Sequence, residues 1–378
     1  MKGLFIIFHG FEEYNGISKK IRYQIAALKE CGAEMSSCYY IVDENNHRKI
    51  IFDEAVLADL GRGKLGAIRK RICYKPILRC LREGNYDFVY CRSYHNANPF
   101  TISLFRGIKK AGIKSAMEIP TYPYDSEYIT FRMKCDLFVD RCFRHKLAGM
   151  FDYIVTFSND DTIFGQKTIR ISNGIDFSAI KIKEHLNDTS SSISLIGVAE
   201  VHYWHGFDRI IRGMVDYYKS NPDYKVYFHI IGNLTGEREK QEILVPIAEH
   251  YLEEYVTLHG PLYGAELDEV FENADFGVGS LGRHRSGIKY IKPLKNREYT
   301  ARGIPFIFSE TDEDFENMPF VMKAAADDSP IHIPDLINFY KSVNMSPAQI
   351  RNSISDLSWR HQMQIVLDKL FNKDDNGK

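Results

Sequence analysis

The segment Ile288–Ile307 concentrates residue types that hold and polarise an anion. Pro293 suits the first turn of a helix and Gly303 its C-terminal stop, so a helix of about ten residues is predicted there, feeding a strand over Pro305–Phe308. The start of such a helix offers free backbone N–H groups and the positive end of the dipole, a seat for a diphosphate. Lys292 and Lys295 add charge to it. Glu298, roughly one turn further on, can accept two hydrogen bonds from a vicinal diol such as ribose. The same spacing also allows a surface ion pair with Arg302 at i+4.

Such residues need strands and helices to place them. Leu4–Phe8 is short and bulky, as a buried strand should be. The loop His9–Gly16 follows, then apolar residues at helical spacing (Ile17, Ile21, Ile25, Leu28) closed by Gly32. Strand, glycine loop and helix open a parallel α/β domain. Further strands are predicted at Phe88–Cys91, Ser115–Ile119 and Tyr153–Phe157. The pattern restarts with strands at Ser192–Ala199, Lys225–Ile231, Val256–His259, Asp275–Ser280 and Pro305–Ser309, and a helix over Gly206–Lys219. The hydrophilic stretch Lys181–Ser192 reads as a linker or exposed loop between the halves. In open parallel sheets the ligand sits beyond the carboxyl ends of the strands, so the loops there are the first place to look.

The 378 residues suffice for two domains. A net charge of -1 argues against a dedicated nucleic-acid binder. No apolar run reaches the roughly 18 residues of a membrane span, and Met1–Phe8 is too short for a signal peptide. Seven scattered cysteines read as reduced thiols of a cytosolic protein.

The run PLKNREYTARGIPFI (residues 293–307) resembles the second half of the E-x7-E signature of family 4 retaining glycosyltransferases. ISNGID (171–176), IGVAEVHYWHGFDRII (196–211), FHIIGN (228–233), VTLHGPL (256–262) and ENADFGVGSL (272–281) resemble further elements of that family, in its order. LSWRHQMQIVLDKLF (357–371) resembles its closing helix. The resemblance implies the GT-B fold: α/β, with two Rossmann-like doubly wound domains facing a central cleft. The expected divisions are 1–170 on the acceptor side, 171–355 for the nucleotide sugar, and 356–378 for a helix crossing back. It implies transfer of a sugar from a nucleoside diphosphate to an acceptor hydroxyl with retention. Glu298 would hold the ribose hydroxyls, and the amides around Leu294 and Lys295 would face the diphosphate. Gly16 would allow close approach to the phosphates, though it also reads as a turn glycine before a helix. His95 resembles the histidine placed near the transferring sugar, where it would bond a hydroxyl and help with charge. As a lone loop histidine it also reads as structural.

Two departures stand out. Tyr290 occupies the place of the first glutamate of E-x7-E, so sugar recognition falls to other groups, with His284, Arg285, Ser286 and Lys289 as candidates. The family's Arg and Lys after the first strand of domain two are replaced, with Glu200 near the Arg position and His205 at the Lys. A protonated His205 could donate to a phosphate, a nearby dianion raising its pKa. Arg283, Arg285, Lys292 and Lys295 could share the missing charge. No Asp-x-Asp pair is read at a strand end, and transfer is expected to need no metal. Cations and helix amides would stabilise the leaving diphosphate, at about 3–4 kcal/mol per donor.

Backbone groups at Gly232 and Leu262 could read a base edge, or could be plain turn chemistry. No cofactor is expected besides the nucleotide sugar, a uridine diphosphate sugar being slightly favoured. Arg62–Arg82 holds eight basic residues and no acidic one, beside Leu65, Ile68 and Ile72 at helical spacing. It reads as a peripheral contact with a membrane carrying a glycan or lipid-linked acceptor, or as a solvated helix. The expected place is the cytoplasm, peripherally at the inner face. A sugar-nucleotide epimerase of the same fold and a non-catalytic two-lobed sugar-binding protein are the alternatives. A dinucleotide oxidoreductase is disfavoured, because His9–Gly16 lacks G-x-G-x-x-G.

Overall fold

The computed structural model describes residues 1–11, 16–94, 97–125, 128, 130–234 and 236–371. They form two compact units, Met1–Ser172 with Trp359–Lys378, and Asn173–Ser358.

The first unit is built on a nine-stranded sheet in the order β4-β3-β2-β1-β5-β6-β7-β9-β8. Its strands are β1 (Lys2–Ile7), β2 (Glu34–Val42), β3 (His47–Phe52), β4 (Ala55–Arg62), β5 (Phe88–Arg92), β6 (Lys114–Ile119), β7 (Tyr153–Thr156), β8 (Thr162–Ile163) and β9 (Gln166–Arg170). The central strands pair in parallel and read as continuous apolar runs because helices cover both faces. Leu4 and Ile6 point to one core, packed with α3 (Lys75–Glu83), α4 (Pro99–Lys110) and α5 (Phe131–Ala148), while Phe5 and Ile7 point to the other, with α1 (Gly16–Glu30) and α12 (Trp359–Phe371). The short helix α2 (Gly63–Ile72) follows β4. The antiparallel edge β2-β3-β4 is absent from the sequence reading. β3 and β4 are largely half-exposed, and β2 alternates buried with more exposed residues, so none is the uniformly buried run that marks the central strands.

The second unit carries a parallel six-stranded sheet, β12-β11-β10-β13-β14-β15. These strands are β10 (Ser192–Val198), β11 (Lys225–Ile231), β12 (Val256–Gly260), β13 (Phe276–Val278), β14 (Phe306–Phe308) and β15 (Val321–Lys323). One face packs α6 (Phe207–Tyr218), α7 (Glu237–Glu249) and α10 (Ile333–Ser342); the other packs α8 (Gly264–Asn273), α9 (Leu294–Arg302) and α11 (Pro347–Asn352).

The stretch 181–192 is not a linker. It belongs wholly to the second unit, where Lys183 is buried and donates to the carbonyls of Glu272 and Ala274 (2.8 Å to the latter), and Asn187 Nδ2 donates to Asp275 at 2.7 Å. It is the exposed loop of the two readings: Lys181, Glu184, His185, Asp188, Ser190 and Ser191 face water, while Lys183 and Asn187 satisfy the end of α8.

Candidate functional site

The site grows from the carboxyl ends of β13 and β14 and the first turn of α9. Pro293 is the N-cap residue, one position before the expected helical start, with extended backbone (φ -74°, ψ 144°). Asn173 Nδ2 donates to the Lys292 carbonyl at 2.7 Å, fixing the chain's entry into the helix. Arg297, fully buried, grips Asp312 with both arms (2.5 and 3.1 Å), reaches Asp314, and donates to the Asn173 carbonyl at 3.0 Å. Asp312 and Asp314 are an Asp-x-Asp pair just past β14 that corrects the sequence reading. Both are committed to Arg297.

Around this frame, eight buried side-chain atoms have no hydrogen-bond partner among the described residues: Asn173 Oδ1, Ser280 Oγ, Arg283 Nε, His284 Nδ1, Lys295 Nζ, Asn296 Oδ1 and both Glu310 carboxylate oxygens. An unpartnered buried polar group costs about 1–3 kcal/mol, more when charged. Arg283, Lys295 and Glu310 act on one another's ionisation, yet none forms an ion pair within 4.0 Å among the described residues. Burial, reinforced by the Arg283 charge, pushes the Lys295 ammonium down to about 7 against the pull of Glu310. Burial pushes the Glu310 carboxyl up to about 7 against Lys295 and Arg283. Both signs of charge thus line one place without neutralising each other by contact. Glu310 escaped the sequence reading, although it lies two residues past β14, where the strand-end rule points.

His205 lies in a single 3-10 turn, Tyr203–His205, before α6. Its Nδ1 accepts the His202 backbone N–H at 3.0 Å, so its proton sits on Nε2. Burial, then the charges of Lys295 and Arg283, hold its pKa far below the ordinary imidazole range. Without a diphosphate beside it the ring is a neutral donor through Nε2. Gly206 follows at φ +67°, where a Cβ would stand 2.6 Å from the Gly282 nitrogen, so only glycine fits.

The other predicted residues are distributed unevenly. Arg285 is spent on protein: it clamps Asp208 (2.8 and 2.8 Å), Asp328 (2.6 Å) and the Tyr203 carbonyl (2.9 Å), which removes it as a free cation. His284 Nε2 bonds Asp328 at 3.1 Å. Lys289 is exposed, and Tyr290, at 71% exposure, replaces the missing glutamate without entering the cluster. Leu294, the first residue of α9, is 40% exposed beside its free amide end. Glu298 does pair with Arg302, but Arg302 meets only Oε1 (3.2 and 3.1 Å), leaving Oε2 without a partner among the described residues.

Gly232 is demanded by packing. At φ +119° its Cβ would collide with the Ala199 carbonyl at 1.7 Å, and its N–H is given to the Gly260 carbonyl. That amide cannot read a base. Leu262 sits half-buried in the loop between β12 and α8. Gly16 begins α1; among the described residues a Cβ there meets nothing within 4 Å, so their packing does not require glycine. His95 lies outside the described residues.

The whole chain matches solved structures. A glycosyltransferase of Rickettsia africae aligns over 98% of this chain and 99% of its own (TM-score 0.63, 11% identity). HepE of Anabaena, solved with UDP, aligns over 98% and 99% (TM-score 0.61, 14%). The pneumococcal O-GlcNAc transferase GtfA, solved with UDP and GlcNAc, aligns over 98% and 98% (TM-score 0.56, 10%). The fold is the GT-B fold of these glycosyltransferases. No protein-family model and no curated protein matches the sequence.

Proposed function

We propose that the protein is a glycosyltransferase that moves a sugar from a nucleoside diphosphate, a uridine diphosphate sugar in the first instance, to an acceptor hydroxyl with retention and without a metal. The observation that carries this is the cluster of unpartnered buried groups at the first turn of α9. Lys295, Arg283, the neutral His205 Nε2–H and the helix amides are donors that a diphosphate would satisfy together. Glu298 Oε2 remains to take a ribose hydroxyl. UDP in the solved structures of HepE and GtfA agrees with this choice of donor.

As the glycosidic bond breaks, negative charge grows on the leaving diphosphate, and these donors meet it without rearranging. The acceptor is a glycan or a lipid-linked sugar in surface polysaccharide or glycolipid assembly. The protein works in the cytoplasm, with Arg62–Arg82 supplying a peripheral membrane contact. Among the described residues no helix is long and apolar enough to cross a membrane.

A thermal-shift screen of nucleoside diphosphates and their sugars tests the reading. At least one should raise the melting temperature by mass action and be hydrolysed slowly to free nucleoside diphosphate. Interconversion of the sugar would point instead to an epimerase, and sugar binding with no turnover to a binding protein. His95→Ala should spare donor binding, by calorimetric titration, and lower turnover. Equal rates would remove His95 from the site.

A further inference from the structure

A surface helix of a soluble domain ordinarily turns its apolar stripe inward. Helix α5 also shows the reverse. Its inner side holds Leu137, Leu147 and a buried carboxylate, Asp140, which accepts hydrogen bonds from the Tyr124 hydroxyl (2.6 Å) and the Ala97 amide (3.1 Å). Its outer side carries Phe131, Cys135, Phe138 and Cys142, all exposed, the two phenylalanines at 84% and 70%. Spaced i, i+4, i+7 and i+11, they form one stripe at about 100° per residue. Exposed Arg132 and Lys146 flank it on one side, and exposed Lys134 on the other, beside Arg141, which is paired with Asp125 (3.0 and 2.7 Å).

The neighbouring helix α2 repeats the theme. Leu65 (68% exposed) and Ile68 (54%) lie beside exposed Lys64 and Arg69. Arg71 ties the two helices together through Asp136 (2.9 and 3.2 Å).

We infer that α5 is the element that enters a membrane: Phe131 and Phe138 insert at the headgroup boundary of an anionic bilayer, while the cations around them and along α2 face the lipid phosphates. This deepens the reading of Arg62–Arg82, giving that segment the electrostatic part and α5 the apolar part. A second copy of the chain suits the surface poorly. A symmetric contact through the stripe would bring the cations of one copy, Arg132, Lys134 and Lys146 among them, against those of the other. An anionic headgroup layer matches both the charge and the apolar row.

The test is co-sedimentation of the full chain with phosphatidylcholine vesicles, with and without phosphatidylglycerol, alongside nucleotide binding on the same preparations. Binding should need the anionic lipid and weaken with salt. F131E/F138E should lower partitioning by about tenfold or more, because two inserted rings are lost. R132Q/K134Q should lower it by about fivefold per charge removed. Both pairs are exposed, and nucleotide affinity should not change in either variant. Wild-type protein that stays in solution, or F131E/F138E that sediments like wild type, overturns the inference. So does a dimer, seen by light scattering, that F131E/F138E makes monomeric without any vesicle binding. Vesicle binding without nucleotide binding would leave this inference standing and break the transferase reading.

Discussion

Each unit buries one carboxylate between two cations at the end of a parallel strand, and the two arrangements behave oppositely. In the first unit Glu118, fully buried, meets Arg92 at 2.5 Å and Lys20 at 3.4 Å on one oxygen, and Tyr90 (2.7 Å) and Gln24 (2.5 Å) on the other. Burial resists its ionisation, but Lys20, Arg92 and the two hydrogen bonds outweigh burial and hold the carboxyl down at about 2. In the second unit Glu310, equally buried, touches neither Lys295 nor Arg283, and burial wins, pushing it up to about 7. The residue types nearly coincide; contact distinguishes them. A closed network holds a fold together, whereas an open one of the same charges leaves room for a ligand that carries charge itself.

The largest effect should come from the isosteric pair Glu118→Gln and Glu310→Gln. The first leaves Lys20 and Arg92 buried without their counter-charge and should cost about 3–5 kcal/mol in chemical denaturation. The second breaks no contact and should stay within about 1 kcal/mol. Equal losses would erase the distinction between the two networks.

A second measurement concerns pH. In the empty site Lys295 and Glu310 together hold about one proton near neutrality, and beside a bound diphosphate they should hold two, as ammonium and carboxylic acid. Binding therefore takes up a proton, and affinity falls as pH rises. From pH 7.5 to 8.5, where two groups near 7 lose nearly all their protons in the empty site, the nucleoside diphosphate should bind at least tenfold more weakly, about 1.4 kcal/mol or more. Calorimetry in two buffers of different ionisation enthalpy reads the uptake directly, and a flat profile would mean that the pair does not meet the phosphates.

The third measurement is Glu298→Ala. It should weaken nucleotide-sugar binding by about tenfold, roughly 1.4 kcal/mol. Arg302, itself buried, keeps its second carboxylate, Asp268 at 2.7 Å, so loss of the pair with Glu298 should cost no more than about 1 kcal/mol of stability. Unchanged affinity with a lower melting point would reduce Glu298 to its ion pair.

Much of the frame was legible in advance. Lys225–Ile231 forms the strand expected of it, and β1, β5, β6, β7, β10 and β12 fall within two residues of their expected ends. Short bulky runs bounded by glycine and loops fit the strands of a covered parallel sheet. The antiparallel edge β2-β3-β4 was not legible, since β3 and β4 mix polar with apolar residues and β2 alternates buried with more exposed ones. Within the site, Lys295 and Glu298 follow from their places on one helix, because helical spacing is local.

The order of residues alone thus determined the alternation of strands and helices, the glycine that ends α9, and the positive charge around its first turn. Only the tertiary structure decided how that charge is used. It spends Arg285 on Asp208, ties Asp312 and Asp314 to Arg297, holds His205 neutral, and sets Glu310 near Lys295 and Arg283 without contact. The reason is physical: helix and strand preferences act over a few neighbours, whereas ionisation and pairing depend on burial and on charges brought close from distant parts of the chain.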